Sequence, residues 1–170
     1  MKKYIIINGG MGAGKSAIGR KVAEKLGRAA FINADFLIEM YPDVDYSETK
    51  AMRRDNIVNM SRSYCDFHKC DFVVLAWIMY RDTASELLSE ISNLNFEIYH
   101  FVLTCNAEVL AERWHNDAIN DWRTEENLKT ATEQLEYFSN LADCIIIDTS
   151  ELSVDAAAEK VIEKICPPNP

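Results

Sequence analysis

A glycine-rich segment near the start of the sequence has the residue types needed to hold phosphate groups. Residues 9–16 read GGMGAGKS and match the pattern G-x-x-x-x-G-K-[ST] in full. Glycines let the backbone curl until successive N–H groups point at one anion, and the positive end of a following helix adds to that field. The alternative is a glycine-rich turn with a surface lysine, but this segment directly follows a predicted strand and opens a predicted helix.

The motif therefore predicts a site for a nucleoside triphosphate, with ATP and Mg²⁺ as the expected ligands. Lys15 would reach the outer phosphates and stabilise charge there, and the Ser16 hydroxyl would bind Mg²⁺. The predicted nucleotide contacts are Gly9, Gly10, Met11, Gly12, Ala13, Gly14, Lys15, Ser16 and Ala17.

Asp35, after the second predicted strand, is the candidate acid of the site. A carboxylate that supports Mg²⁺ often follows the third strand in proteins with this motif, but residues 75–78 (LAWI) offer none. At the end of the second strand, Asp35 would face the γ-phosphate, where it would accept a proton from an attacking hydroxyl or help to hold Mg²⁺. The alternative is that Asp35 only caps a helix beginning at Phe36.

The acceptor of the phosphoryl group must contact residues in the range 36–82. Arg53, Arg54 and Arg81 are candidates for holding an anionic group of that acceptor, such as a carboxylate or phosphate. Trp77, together with Tyr80 and Tyr41, is a candidate for lining an aromatic pocket. For Arg54 the alternative is a solvated surface position, and for Trp77 it is the core.

The elements that position these residues alternate along the chain. Short apolar runs predict strands at 4–7, 29–33, 72–79, 96–103 and 144–147. Helical patterns separate them, with a capping box at Thr83, an N-cap at Asn106 and another at Thr124. Apolar strands separated by helices indicate an α/β fold with a five-stranded parallel sheet and helices on both faces. Ligands of such sheets bind at the carboxyl ends of the strands.

Composition limits the partners. The chain has 170 residues, 48% of them apolar, and a net charge of −9, which argues against nucleic-acid binding. Its longest apolar run is too short to span a bilayer, so we expect no membrane partner. The five cysteines have no framework spacing, which is typical of reduced thiols in the cytoplasm. The pattern indicates nothing about oligomeric state.

Two segments resemble a known group of enzymes. Residues 7–10 (INGG) and 35–39 (DFLIE) are most similar to chloramphenicol phosphotransferase. The chain as a whole looks like the small P-loop phosphotransferases, which include that enzyme, shikimate kinase, gluconate kinase, and nucleoside and nucleotide kinases. The resemblance implies a three-layer P-loop fold, an ATP-dependent kinase activity on a small molecule, and Asp35 as the base for the substrate hydroxyl.

Further residues follow from the same resemblance. Residues 102–113 (VLTCNAEVLAER) are similar to the strand and helix that lead into the lid of these kinases, which implies that Arg113 stacks on the adenine or touches the phosphates. The lid would span about residues 114–124, but residues 115–117 supply no further arginine and the next is Arg123. After the fifth strand, Thr149, Ser150 and Leu152 would line the adenine, mainly through their backbone.

The sequence thus predicts one P-loop kinase-like domain over residues 1–166, with a C-terminal tail at 167–170. We expect it to transfer the γ-phosphoryl group of Mg-ATP to a hydroxyl or phosphate of a small molecule. Two alternatives stay open. One is an ATP-binding module whose hydrolysis serves a protein partner, and the other is a polynucleotide end kinase, which also uses an aspartate after the second strand.

Overall fold

The structure, a computed structural model, describes residues 1–42, 44–117 and 123–167. Its strands are β1 (Lys2–Gly9), β2 (Ala29–Asn33), β3 (Phe72–Ala76), β4 (Phe96–Thr104) and β5 (Ile145–Asp148). Its helices are α1 (Lys15–Leu26), α2 (Tyr46–Asp66), α3 (Arg81–Ile91), α4 (Ala107–Asn116), α5 (Glu125–Ser139) and α6 (Val154–Ile165), with one 3₁₀ turn at Ala34–Phe36. In these ranges, no helix combines the length and the apolar character needed to cross a bilayer.

The strands form one parallel sheet in the order β2-β3-β1-β4-β5. The prediction of a five-stranded parallel sheet with helices on both faces is confirmed. β1 lies at the centre, so the glycine-rich segment that follows it leaves the middle of the sheet at its carboxyl end. The strand order reverses at this point, which is where ligands of open α/β sheets bind.

The central strand is buried on both faces because helices cover the sheet from two sides. Tyr4 and Ile6 pack on the side of α2 and α3, whereas Ile5 and Ile7 pack on the side of α1 and α6. All four side chains are fully buried. A strand with two apolar faces gains burial from both layers, which explains the continuous apolar run in the sequence.

β3 is shorter than predicted. The apolar run predicts a strand over 72–79, but the strand ends at Ala76. The N–H of Trp77 still donates to the carbonyl of Ile7 at 3.2 Å, and the side chain of Asn8 then takes over the pairing. Its Oδ1 accepts from the N–H of Met79 at 2.8 Å and its Nδ2 donates to the carbonyl of Met79 at 2.9 Å. A side-chain amide thus replaces the backbone ladder, which the apolar pattern does not reveal.

Two of the three predicted helix starts are confirmed. Asn106 caps α4 by accepting from the N–H of Val109, and Thr124 caps α5 by accepting from the N–H of Asn127. The capping box at Thr83 is wrong, because α3 begins at Arg81 and Thr83 is buried within its first turns. Of the predicted lid at 114–124, residues 118–122 lie outside the described residues, as do residues 168–170 of the predicted tail.

Candidate nucleotide and acceptor site

The glycine-rich loop lies between β1 and α1, and glycine is required at its first position. Gly9 has a φ of +140°, and a Cβ there would lie 2.6 Å from the carbonyl oxygen of Leu103 on β4. Gly14, with a φ of +89°, precedes Lys15 at the start of α1. The N-terminal end of α1 therefore opens directly into the loop, as the motif requires for an anion.

Lys15 turns back into this loop. Its Nζ donates to the carbonyl oxygen of Gly10 at 2.8 Å. Burial lowers the pKa of Lys15 to about 8, and the negative charge of Asp35 opposes that shift. Lys15 follows β1 and Asp35 follows β2 of the same parallel sheet, so the loop cation and the candidate acid both lie at its carboxyl edge.

Asn33, the last residue of β2, connects the two predicted Mg²⁺ ligands. Its Nδ2 donates to Oγ of Ser16 at 3.1 Å, and its Oδ1 accepts from the N–H of Asp35 at 3.1 Å. Asn33 is therefore the N-cap of the 3₁₀ turn Ala34–Phe36. The alternative that Asp35 caps a helix starting at Phe36 is wrong, because Asn33 has that role and the Asp35 side chain is left exposed.

Ser16 and Asp35 fit Mg²⁺ by donor type and by position. Both supply oxygen, and Mg²⁺ usually takes one or two protein oxygens together with substrate phosphates and water. The shared contact with Asn33 holds the Ser16 hydroxyl and the backbone of Asp35 at the same edge of the sheet.

A cleft of about 380 Å³ opens beside Asp35, on the acceptor side predicted from the sequence. Arg53 lines this cleft, although the residue is largely buried and only 6% of its surface is exposed. Its guanidinium lies 5.0 Å from the centre of the Tyr46 ring and donates to the carbonyl of Ala34. Its buried Nε has no hydrogen-bond partner among the described residues. The lining residues are Asp35, Ile38, Met40, Val44, Asp45, Tyr46, Thr49 and Arg53.

The other acceptor candidates lie elsewhere. Arg54 points at α3, where it forms ion pairs with Glu86 at 2.6 Å and Glu90 at 3.0 Å. Trp77 is fully buried in the core, and its Nε1 donates to the Tyr46 hydroxyl at 2.7 Å. Neither residue is among the described residues that line the Asp35 cleft: Arg54 connects two helices, and Trp77 contacts Tyr46, which does line it.

Arg81 is separated from the cleft as well. It is the first residue of α3, it is exposed, and its N–H donates to the Tyr137 hydroxyl at 2.8 Å. Among the described residues that line the Asp35 cleft, Arg81 is absent.

A second cleft, of about 370 Å³, lies at the end of β5, where the nucleotide base is predicted. Ser150 and Leu152 line it, whereas Thr149 is buried beneath and donates through Oγ1 to the carbonyl of Thr104. Arg113 reaches over from α4 and donates to Oγ1 of Thr149 at 3.0 Å and to its carbonyl at 2.7 Å. Arg113 therefore supports the backbone of the segment predicted to read the base.

Arg123 stands at the far end of the predicted lid. It donates to the carbonyl of Arg113 at 2.9 Å, pairs with Asp117 at 2.5 Å, and lies 5.2 Å from the centre of the Trp114 ring. Its guanidinium thus connects Arg123 to Asp117 and to the carbonyl of Arg113 in α4.

Three amide side chains of the site are not indicated by the sequence pattern. Asn8 and Asn33 follow or end strands, where asparagine is common without a special role. Gln134 lies on the buried face of α5, and its Oε1 accepts from the N–H of Met11 in the glycine-rich loop at 2.9 Å. The one signal for Gln134 in the sequence is that a polar residue stands among the apolar residues of a predicted helix face.

A comparison with protein families identifies the type of domain. The sequence profile of the AAA_18 family, described as an AAA domain, matches residues 5–134, which is well over half of the chain. The chain belongs to this family. The matched part of this AAA domain begins in β1, includes the glycine-rich loop and Asp35, and ends at Gln134 in α5. No curated protein sequence matches the chain.

Solved structures resemble this AAA domain along almost its whole length. The tunicamycin resistance protein of Deinococcus radiodurans is 20% identical with a TM-score of 0.72, covering 99% of this chain and 100% of its own. The APS kinase of Mycobacterium tuberculosis, solved in complex with AMPPNP and APS, is 18% identical with a TM-score of 0.69 over 96% of this chain and 97% of its own.

The shikimate kinase of Acinetobacter baumannii, solved in complex with shikimate, is 20% identical with a TM-score of 0.63 over 97% of this chain and 93% of its own. At these identities the likenesses establish the fold. The predicted resemblance to the small P-loop kinases is confirmed at this level.

Proposed function

We propose that this AAA domain transfers the γ-phosphoryl group of Mg-ATP to a hydroxyl or phosphate group of a small molecule. The observation that carries the proposal is the pairing of a phosphate-binding loop with a carboxylate across its mouth. Asp35 affects the pKa of Lys15 through its charge, and Asn33 connects Asp35 to Ser16. A phosphoryl donor and an acceptor hydroxyl would meet between them. Two proteins of similar fold were solved with ligands of these kinds, one with AMPPNP and APS and one with shikimate.

In this proposal each residue has a defined task. The acceptor oxygen attacks the γ-phosphorus, the bond from that phosphorus to the β–γ bridging oxygen breaks, and ADP leaves. Asp35 takes the proton of an acceptor hydroxyl. Lys15 and the loop N–H groups stabilise the charge on the transferred group, which is most of what such catalysis needs. Mg²⁺, when bound through Ser16 and Asp35, neutralises charge on the phosphate oxygens.

Arg53 supports an acceptor that carries an anionic group. It is a buried cation, and no carboxylate of the described residues forms an ion pair with it. An unpaired buried charge is costly, and in the part of the chain that the structure describes no group accepts a hydrogen bond from its buried Nε, beside the Asp35 cleft. A carboxylate or phosphate of the acceptor would supply the missing partner while Asp35 contacts the hydroxyl.

Further parts of the proposal rest on the resemblance to P-loop kinases. We propose one domain over residues 1–166 and a lid at about 114–124 that excludes water when it closes. Arg113, Thr149, Ser150 and Leu152 would hold the adenine end of ATP. The cytoplasm is the proposed location.

The test is ADP release from Mg-ATP in the presence of a panel of small acceptors. The panel holds nucleosides, nucleoside monophosphates, sugar acids, shikimate-like alcohols and hydroxylated antibiotics. We expect one acceptor to accelerate ADP release and to gain the mass of a phosphoryl group. Asp35→Asn should lower that transfer by about 10²- to 10⁴-fold, because a neutral amide cannot take the proton, while ATP affinity stays unchanged. Glu39→Gln is the control, an exposed carboxylate in the same segment.

Other outcomes separate the alternatives. If no acceptor in the panel accelerates ADP release although ATP binds tightly, the result would favour a module whose hydrolysis serves a protein partner. Addition of that partner should then raise the rate of hydrolysis. Salt-dependent binding and 5′-phosphorylation of oligonucleotides would favour a polynucleotide end kinase, although the net charge of −9 argues against this. Full activity of Asp35→Asn would remove Asp35 from catalysis.

A further inference from the structure

Two side-chain amides join the first half of the glycine-rich loop to the segment after β3. Asn8 accepts from the N–H of Gly9 at 2.7 Å and donates to the carbonyl of Met79 at 2.9 Å. Gln134 accepts from the N–H of Met11 at 2.9 Å and donates through Nε2 to the hydroxyl of Tyr80 at 3.0 Å. In each amide the oxygen accepts from a loop N–H and the NH₂ group donates to the neighbouring segment; the Asn8 oxygen also accepts from the N–H of Met79.

Gln134 is placed where an apolar side chain would be the ordinary choice. Its neighbours on the buried face of α5 are Ala131, Leu135 and Phe138, and Gln134 is itself only 9% exposed. Burying an amide is unfavourable unless all its polar atoms find partners. Here the oxygen and the nitrogen both have one.

The contact with the loop is close as well as polar. A Cβ on Gly10 would lie 3.1 Å from Cβ and 3.3 Å from Oε1 of Gln134. The side chain therefore packs against the loop at the residue before Met11. Because the N–H of Met11 donates to Gln134, it is already paired, and the N–H groups of the following loop residues are the ones available to an anion.

We infer that Gln134 is a positioning residue, which fixes the shape of the phosphate-binding loop and ties that shape to Tyr80. This rests on the proposed function, because it assumes that the loop holds a nucleotide. A loop already held in its binding shape loses less conformational freedom on binding. The Tyr80 hydroxyl accepts a hydrogen bond from Nε2 of Gln134, on the opposite side of the amide from the loop. Removal of this hydroxyl should therefore loosen Gln134 and weaken nucleotide binding indirectly.

The experiment compares two tyrosines that differ in this one contact. The rings of Tyr80 and Tyr137 lie 4.9 Å apart, but the Tyr137 hydroxyl accepts from the N–H of Arg81 instead of contacting Gln134. Binding of Mg-AMPPNP is measured by calorimetry for wild type, Tyr80→Phe, Tyr137→Phe, Gln134→Met and the double variant with Tyr80→Phe and Gln134→Met. Glu133→Gln is the control for α5, since Glu133 is exposed.

We expect Gln134→Met to raise the dissociation constant about 10-fold, as the loss of one well-placed hydrogen bond does. Tyr80→Phe should raise it about 3-fold, and Tyr137→Phe and Glu133→Gln should leave it unchanged. In the Gln134→Met background, Tyr80→Phe should have no further effect, because both act through one contact chain. Binding stoichiometry should stay that of wild type, which a merely unfolded fraction would lower.

Equal affinities of Tyr80→Phe and Tyr137→Phe would overturn the inference, as would additive losses in the double variant. The two tyrosine variants alter partly exposed side chains and keep the test decisive if Gln134→Met fails to fold. Absence of AMPPNP binding in wild type would overturn the proposed function and this inference together. Binding in wild type with no difference between the tyrosine variants would overturn this inference alone.

Discussion

Nζ of Lys15 donates a hydrogen bond to the carbonyl oxygen of Gly10 at 2.8 Å, so the cation of the glycine-rich loop lies inside the loop itself. A phosphate oxygen entering the loop would replace that carbonyl as the acceptor. Burial already lowers the pKa of Lys15 to about 8, with Asp35 acting in the opposite direction. The charge of Lys15, and with it the affinity for phosphates, is therefore sensitive to mildly alkaline pH.

Nucleotide binding should accordingly weaken as the pH rises above about 8. Below this pKa Lys15 is charged and attracts phosphate, whereas above it binding must first take up a proton. The dissociation constant for AMPPNP should rise by up to about 10-fold per pH unit between about pH 8 and 9.5. Calorimetry at about pH 8.5 in two buffers of different ionisation enthalpy should show proton uptake on binding.

Lys15→Met should bind AMPPNP far more weakly and without this pH dependence. Lys21→Met is the matched control, because Lys21 lies on the same helix but forms an ion pair with Glu24 at 2.9 Å. It should retain both the affinity and the pH profile of wild type. A flat profile in wild type would remove Lys15 from phosphate binding.

Asn33→Ala should weaken the response to Mg²⁺ more than the binding of free nucleotide. The substitution removes the hydrogen bond to Oγ of Ser16 and the cap that holds the backbone of Asp35. We expect the Mg²⁺ concentration for half-maximal turnover to rise about 10-fold or more, a loss typical of a residue that orients a metal ligand. ATP affinity in the presence of a chelator should stay within about 2-fold of wild type.

Asn59→Ala is the control for Asn33, since Asn59 is an exposed residue of α2 whose side chain accepts from Arg62. It should leave the Mg²⁺ titration unchanged. An unaltered titration in Asn33→Ala would mean that Asn33 shapes the turn at Ala34–Phe36 without bearing on the metal.

Local patterns were sufficient to predict the sheet and the loop, because strands, caps and the glycine-rich motif depend on neighbouring residues. Asn106 and Thr124 cap their helices as expected. Arg53 and Arg54 could not be separated in this way. Consecutive helix residues point about 100° apart, so one of the two faces the cleft and the other faces α3, and a polar helix does not show which.

The sequence also could not show contacts made between distant segments. Gln134 meets Met11 across most of the chain, and Trp77 donates to Tyr46 on another element. Trp77 and Tyr46 pack only after the sheet and α2 have come together. The placement of residues that depend on such packing, including Trp77, therefore could not be read from the sequence.

The two arginines of α2 give a matched pair for the acceptor side. Arg53→Met should raise the KM for the acceptor about 10- to 100-fold and leave the KM for ATP unchanged, because the buried guanidinium beside Asp35 is the proposed partner of an anionic group. Arg54→Met should leave both KM values unchanged. It removes ion pairs to Glu86 and Glu90 and should lower the unfolding free energy by about 1 kcal/mol or less.

Steady-state kinetics with the acceptor found in the panel, together with thermal unfolding of each variant, measures both effects. Comparison of neutral and anionic forms of one acceptor sharpens the test, since Arg53→Met should reduce the preference for the anion. An increase in acceptor KM for Arg54→Met as large as that for Arg53→Met would contradict the assignment of the acceptor contact to Arg53.

Arg113→Met distinguishes two roles for the arginine of α4. In the structure Arg113 donates twice to Thr149, beneath the cleft lined by Ser150 and Leu152, so we expect it to act on the adenine end of the nucleotide. Binding of AMP, ADP and AMPPNP should then weaken by the same factor, about 10-fold, because the lost support concerns a part that all three share.

Arg62→Met is the control, an exposed arginine of α2 that should leave all three affinities unchanged. If Arg113 instead touches the phosphates, the loss should grow from AMP to AMPPNP with the number of charges.

Thr149→Val checks the same contact from its other side. It removes the hydroxyl that accepts from Arg113 and donates to the carbonyl of Thr104, whereas the Thr149 carbonyl can still accept from Arg113. The loss should therefore again be equal for the three nucleotides.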